Sequence, residues 1–165
     1  MMRYDIGLAV TDTSVPHRKV ILILFLHFIT TNFSEERLVL GIETSCDDTG
    51  IAVVSDVRGV VSQRVSSQYD VHRSYQGVVP HLARRAHQQN IEILLKEVME
   101  GAQASSPLDF AKLSAIAVTA GPGLGPCLGV GLDKAKELAM HHNLPFIAVN
   151  HLEVRRFLVN HVIGS

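Results

Sequence analysis

The chain has 165 residues, with 15 Lys or Arg against 16 Asp or Glu and a formal charge of -1 when His is neutral. Hydrophobic residues make up 47% and charged residues 19%; this suits one substantial domain, or a domain plus an appendage, and excludes a disordered polyelectrolyte or a strongly basic nucleic-acid coat. Two cysteines, Cys46 and Cys127, make no disulfide framework, and the longest apolar run, Val20 to Ile29, is ten residues, too short to cross a membrane.

Residues 1–37 form a first zone. The basic stretch Pro16–Lys19 precedes that apolar run, and polar Thr30–Ser34 follows. This has the outline of a secretory leader, but Arg3, Asp5 and Asp12 lie in front of it. As a mitochondrial presequence it is poor in Arg and carries acid. A buried strand, a loose leader and a gene-model artefact remain open readings.

The second zone is patterned throughout. Leu38–Ile42 reads as a buried strand, and the turn-rich Ser45–Gly50 leads to a second strand at Ile51–Val54. Asp56–Gly59 turns into a third, Val60–Val65, so the opening is antiparallel. Residues 67–79 read as irregular. From Pro80 the period becomes helical. Ile91, Leu94, Leu95 and Val98 share a face with Leu82 and Ala86 on earlier turns, and Gly101 suits the C-cap. Ser114–Val118 is the next strand, Gly121–Gly125 a glycine loop, and about Leu128 to His142 a helix that Asn143 and Pro145 end. Phe146–Val149 is a last strand. Strand, loop, helix, strand is α/β logic, and the antiparallel opening predicts a mixed sheet.

Three constellations carry chemistry. In Glu43-Thr-Ser-Cys-Asp-Asp-Thr-Gly50, three carboxylates and three hydroxyls meet at a strand end. Such a turn can bring hydroxyls and backbone N–H groups to phosphates, or a carboxylate to a hydrated cation; it can equally be an Asx-rich turn that caps itself. In Thr119-Ala-Gly-Pro-Gly-Leu-Gly-Pro-Cys127, Gly121 and Gly123 allow close backbone approach, and a helix N-terminus follows. The loop matches neither a P-loop nor a dinucleotide fingerprint, so a tight packing turn stays open beside an anion site. Cys127 reads as a small core residue. Asn150-His-Leu-Glu153 puts His151 at a strand end, which suits a sheet-edge site. Most other histidines read as solvent-facing or hydrogen-bonded, and His81 and His87, six apart, do not share a helical face.

Taken together these segments are far more specific. Leu40–Val54, Gly77–Pro80 with Ala83, Arg84 and His87, Ala117–Leu124 with Leu128, Val130 and Gly131, and Pro145–Glu153 resemble, in order and spacing, four blocks of the tRNA N6-threonylcarbamoyladenosine synthase family, formerly called O-sialoglycoprotein endopeptidases. The resemblance covers about residues 38–153.

That resemblance implies the N-terminal lobe of an actin-like ATPase fold, α/β with a mixed sheet, the C-terminal lobe being missing from this chain. It implies transfer of a threonylcarbamoyl group from threonylcarbamoyl-AMP to N6 of adenosine 37, in tRNAs that read codons beginning with A. One divalent metal, iron or zinc, would polarise the activated carbonyl. Asp47 carries over as the acidic residue near the carbamoyl group or incoming amine, with Asp48 as its neighbour. Ser45 and Thr49 carry over as lining residues, and Gly121 and Gly123 as the phosphate loop. His151 matches the first of two metal-ligating histidines four apart. The second position is Arg155, which has no acceptor lone pair, and the family's third ligand falls beyond Ser165. Metal binding is therefore expected to be weak or absent.

The resemblance ends at Glu153, and residues 154–165 read as unrelated sequence. Two functions compete: the family's transferase activity, and a catalytically incomplete fragment that keeps an N-lobe surface for a homodimer or accessory protein. A peptidase reading rests on the old name alone, since the chain has no HExxH. The leader and core favour the mitochondrial or bacterial-type branch, hence mitochondria, with the cytoplasm as the alternative. No integral membrane association is expected, and Arg84-Arg85 and Arg155-Arg156 are too short to argue for RNA on their own.

Overall fold

A computed structural model of the chain describes residues 36–101 and 107–151. Five strands form one sheet: β1 (Leu38–Glu43), β2 (Asp48–Ser55), β3 (Gly59–Ser67), β4 (Leu113–Gly121) and β5 (Phe146–Asn150). Their order is β3-β2-β1-β4-β5. β1, β2 and β3 pair antiparallel, whereas β1–β4 and β4–β5 pair parallel. The sheet is therefore mixed, as the sequence pattern predicts. The switch falls at β1, which is buried along its whole length. A central strand needs apolar residues on both faces, and Leu38-Val-Leu-Gly-Ile42 supplies them.

The second half of the chain adds two long helices. A short helix α1 (Tyr69–His72) and a 3-10 turn (Arg73–Tyr75) occupy the stretch that sequence reads as irregular. Then come α2 (Pro80–Glu100) and α3 (Gly125–His141). Pro80 stands in the first turn of α2, where its missing N–H costs nothing, and Gly101 closes the helix in the left-handed conformation at φ 64°. α3 starts at Gly125, earlier than expected, because Pro126 also fits a first turn.

Both long helices pack on one face of the sheet. Ile91, Leu94, Leu95 and Val98 of α2 and Ala135, Leu138 and Ala139 of α3 meet Leu40, Ile42, Ile51, Val53, Ile116 and Val118. Alternation sends Val39, Ala52, Val54, Ala115, Ala117 and Val149 into a second apolar cluster, with Ile147 packed against it. Lys134 of α3 reaches both Glu92 of α2 and Glu137, which ties the helices together at their outer edge.

Gly129 lies inside α3 and is open, since a Cβ there would meet nothing within 4 Å. Gly129→Ala is expected to stabilise the fold by about 0.5–1 kcal/mol, read as a higher urea midpoint at unchanged m-value. An unchanged or lower midpoint would show that the site is more crowded than its backbone implies.

The expected leader, apart from Glu36 and Arg37, and the expected tail at 154–165 lie outside the described residues. Arg37 is bound to Asp56, its backbone N–H and Nε each donating to the carboxylate at 2.9 Å. Among the described residues, no helix is long and apolar enough to cross a membrane.

Candidate functional site

The three sequence constellations converge at one edge of the sheet. The β1–β2 turn, the β4–α3 loop and the end of β5 all lie where β1, β4 and β5 run out. These three strands are parallel, so the edge is the carboxyl end at which open α/β sheets bind ligands. Gly121 is registered with Asn150, which places His151 directly beside the glycine loop.

Glu43 organises this edge. It is the last residue of β1, and its side chain is almost fully buried. Its carboxylate accepts the Ser45 N–H at 2.5 Å and the Thr119 hydroxyl, and Oε2 lies 3.5 Å from His151 Nδ1. Burial pushes the Glu43 carboxyl up, but the hydrogen bonds from His151, Ser45 and Thr119 outweigh that and hold it below the usual range. A buried anion thus joins all three segments.

The turn is anchored on every side. The Thr44 hydroxyl donates to the Cys127 carbonyl at 2.9 Å and accepts from Gly131 N–H at 3.2 Å. The carbonyls of Ser45, Cys46 and Asp47 are taken by Leu124 N–H at 2.7 Å, His87 Nε2 at 3.1 Å and Gln68 N–H at 3.1 Å. In a trans peptide the N–H points opposite its C=O. The N–H groups of Cys46, Asp47 and Asp48 therefore face away from these anchors.

The predicted residues divide into two groups. Asp47 and Asp48 sit half-buried at the turn, where carboxylates can meet a ligand. Ser45 and Thr49, expected as lining residues, are buried. Thr49 hydrogen-bonds His87 Nδ1 at 2.7 Å, so it supports the turn from beneath. Gly123 packs against the protein's own chain: a Cβ there would stand 2.5 Å from the Ser45 carbonyl oxygen. The packing role left open for the loop is thus present at Gly123. Gly121 adopts φ 145°, which only glycine tolerates well. Cys127 is buried, and its thiol is pushed up by that burial and by Asp47. Cys46 is exposed, yet its thiol is pushed up to about 11, first by desolvation of the sulfur and then by the hydrogen bond and charge of Asp47. Neither thiol is poised as a nucleophile.

Glu43 and Thr44, counted in sequence among the carboxylates and hydroxyls that could face a ligand, are instead turned to internal partners, and Thr119 and Gln68 have no individual role in the sequence reading. A carboxylate closing an otherwise apolar buried strand was the available signal for Glu43. His87 was matched only as a motif position, and it proves to be fully buried.

His151 is the one described member of the implied metal set. Its Nδ1 faces Glu43, and no group of three His, Cys, Asp or Glu side chains suited to a metal occurs among the described residues. One imidazole and one carboxylate do not fit an iron or zinc centre, which takes at least three protein ligands. Position 155 lies outside the described residues.

Comparison with known proteins bears on the fold and on the family. A solved structure, YeaZ from Pseudomonas aeruginosa, superposes with a TM-score of 0.52 at 19% identity, over 69% of this chain and 44% of that one. The likeness is one of fold, that of an actin-like ATPase N-lobe. The tRNA N6-adenosine threonylcarbamoyltransferase of Geobacillus kaustophilus is 50% identical over 119 residues, 72% of this chain and 34% of that protein. The enzyme of the same name from Nostoc punctiforme is 50% identical over 115 residues, 70% of this chain and 32% of that protein. This chain thus spans about a third of the length of the curated relatives it matches. The profile of the family described as tRNA N6-adenosine threonylcarbamoyltransferase matches residues 59–158, and the chain belongs to that family.

Proposed function

We propose that this chain supplies the N-lobe wall of a threonylcarbamoyl transfer site and does not by itself complete that site. The reaction would join N6 of adenosine 37 in tRNAs reading A-starting codons to the carbamoyl carbon of threonylcarbamoyl-AMP. The new C–N bond forms as the bond to the AMP phosphate breaks. The observation that carries this reading is the meeting of the β1–β2 turn, the glycine loop and His151 at one carboxyl edge of the sheet, around buried Glu43.

In this reading the outward N–H groups of the turn receive the adenylate phosphate. Asp47 stands near the incoming amine and holds its proton as it attacks, with Asp48 beside it. A divalent metal would supply Lewis acidity when bound, but the described donor set does not fit one, and no step here depends on it.

The incomplete reading draws on two observations: the described residues hold no group of three metal-ligating side chains, and the chain spans about a third of the relatives' length. A homodimer or accessory protein would then dock on the helical face, where Ile93 of α2 and Met140 of α3 are exposed. Membership of the mitochondrial or bacterial-type branch, and residence in mitochondria, complete the proposal; a fluorescent fusion of the whole chain tests the latter.

The test is a threonylcarbamoyl transfer assay on tRNA, run with this chain and, in parallel, with the Geobacillus kaustophilus relative. The expected result is product from the relative and none from this chain. Turnover by this chain alone would overturn the incomplete reading. No product from the relative under any condition would overturn the assigned reaction.

A further inference from the structure

Beneath the β1–β2 turn runs a buried chain of hydrogen bonds to which the transfer chemistry gives no part. Val79 N–H donates to His72 Nδ1 at 3.3 Å. His72 Nε2 and Gln68 Oε1 are 3.2 Å apart, as are Gln68 Nε2 and His87 Nδ1. His87 Nε2 then reaches the Cys46 carbonyl at 3.1 Å. His72, Gln68 and His87 are all buried.

The two ends fix every orientation between them. A backbone N–H can only donate, so His72 Nδ1 accepts and His72 Nε2 carries the proton. Gln68 then accepts through Oε1 and donates through Nε2. His87 Nδ1 accepts, also taking the Thr49 hydroxyl at 2.7 Å, and His87 Nε2 carries its proton to a carbonyl that can only accept. All four links point the same way, from the start of α2 to the turn. Such chains polarise one another in a dry interior. Burial also pushes the His87 imidazole down, against the pull of the Cys46 carbonyl, Glu43, Asp47 and Asp48, so the ring stays neutral at pH 7.

We propose that His87 is a positioning residue: its Nε2–H sets the Cys46–Asp47 peptide plane, and the Val79–His72–Gln68 chain holds the ring in the tautomer that does so. The peptide so oriented carries the Asp47 N–H, which points opposite the Cys46 carbonyl and so away from His87. The consequence for a bound phosphate rests on the function proposed above; the relay itself does not.

The experiment compares two substitutions in the whole, isotopically labelled chain. In His87→Gln the amide nitrogen reaches the place of Nε2, so the donor to Cys46 is kept. In His87→Asn the amide oxygen reaches the place of Nδ1, so Thr49 and Gln68 keep their acceptor and Cys46 loses its donor. The expected result is wild-type-like Cys46 carbonyl and Asp47 amide shifts in His87→Gln, and displaced shifts in His87→Asn. With AMP as the phosphate probe, His87→Asn should bind about tenfold more weakly than wild type, the loss of one hydrogen bond, while His87→Gln should stay near wild type. Equal behaviour of the two variants in the backbone shifts overturns the proposal. If either variant fails to fold, the wild-type imidazole nitrogen spectrum decides: at pH 7 it must show His87 as the neutral Nε2–H form, and an Nδ1–H or doubly protonated ring overturns it. A wild-type chain that passes the spectral tests but does not bind AMP would count against the proposed function and leave the relay standing.

Discussion

Replacing Glu43 with Ala should remove about 4 kcal/mol of stability. The loss has two sources. The Ser45 N–H and the Thr119 hydroxyl would remain buried without their acceptor, at about 1–3 kcal/mol each. The vacated volume beneath the turn adds a cavity cost. Against a typical total of about 5–15 kcal/mol this is a large fraction, so the variant should unfold at much lower urea. Glu43→Gln keeps one acceptor oxygen and should lose clearly less. The wild-type carboxyl also predicts a pH dependence. Its folded pKa lies below the ordinary carboxylate value of about 4.5, so its contribution is fully present above about pH 4.5. It declines as pH falls from there through the folded pKa, because the unfolded chain takes up the proton first. Urea titrations at descending pH should show this loss in wild type and not in Glu43→Gln. An acid response unchanged by that substitution would contradict the role of Glu43 as the charged anchor.

Gly123→Ala should cost about 3 kcal/mol, with displacement of the β1–β2 turn. The added Cβ would stand 2.5 Å from the Ser45 carbonyl oxygen, 2.8 Å from its Cβ and 3.1 Å from its Cα. These are mostly backbone atoms, held by the Leu124 N–H bond to Ser45, so no rotamer change relieves them. Gly131→Ala provides the comparison. Its Cβ would meet Thr44 Oγ1 at 2.5 Å, a side-chain atom that can rotate away. Rotation would forfeit the bonds to Cys127 and Gly131, but a helical Ala recovers part of the loss. The predicted order of urea midpoints is therefore Gly129→Ala, wild type, Gly131→Ala, Gly123→Ala, from highest to lowest. A Gly123→Ala protein as stable as wild type would mean that the loop does not pack on the turn.

The sheet and helices were legible because their causes are local. Alternating and continuous apolar runs announced β1 to β5, and Pro80, Gly101, Asn143 and Pro145 marked helix ends. The mixed sheet followed from one turn, Asp56–Gly59, that is too short for a crossover. The site was legible as three segments but not as a connected object. Nothing in the spacing of Glu43, Thr119 and His151 says that one carboxylate serves all three, since those contacts span 76 and more residues and depend on β4 inserting between β1 and β5. Gly123 shows the same limit. A glycine that lets a ligand approach and a glycine that lets the chain approach itself look identical in sequence. His87 was hidden for a further reason. Its partners Cys46, Thr49 and Gln68 lie in the β1–β2 turn, in β2 and between β3 and α1, and its tautomer is set by Val79 at the far end of the relay.

We propose that the β1–β2 turn, the β4–α3 loop and His151 form one wall of an adenylate site. The most direct test is the amide spectrum of the whole chain during titration with AMP. Shifts concentrated at residues 45–49, in the non-proline residues of 119–125 and at His151 are the predicted result. Shifts confined to the exposed helical face of α2 and α3, or no saturable shift at all, would contradict it.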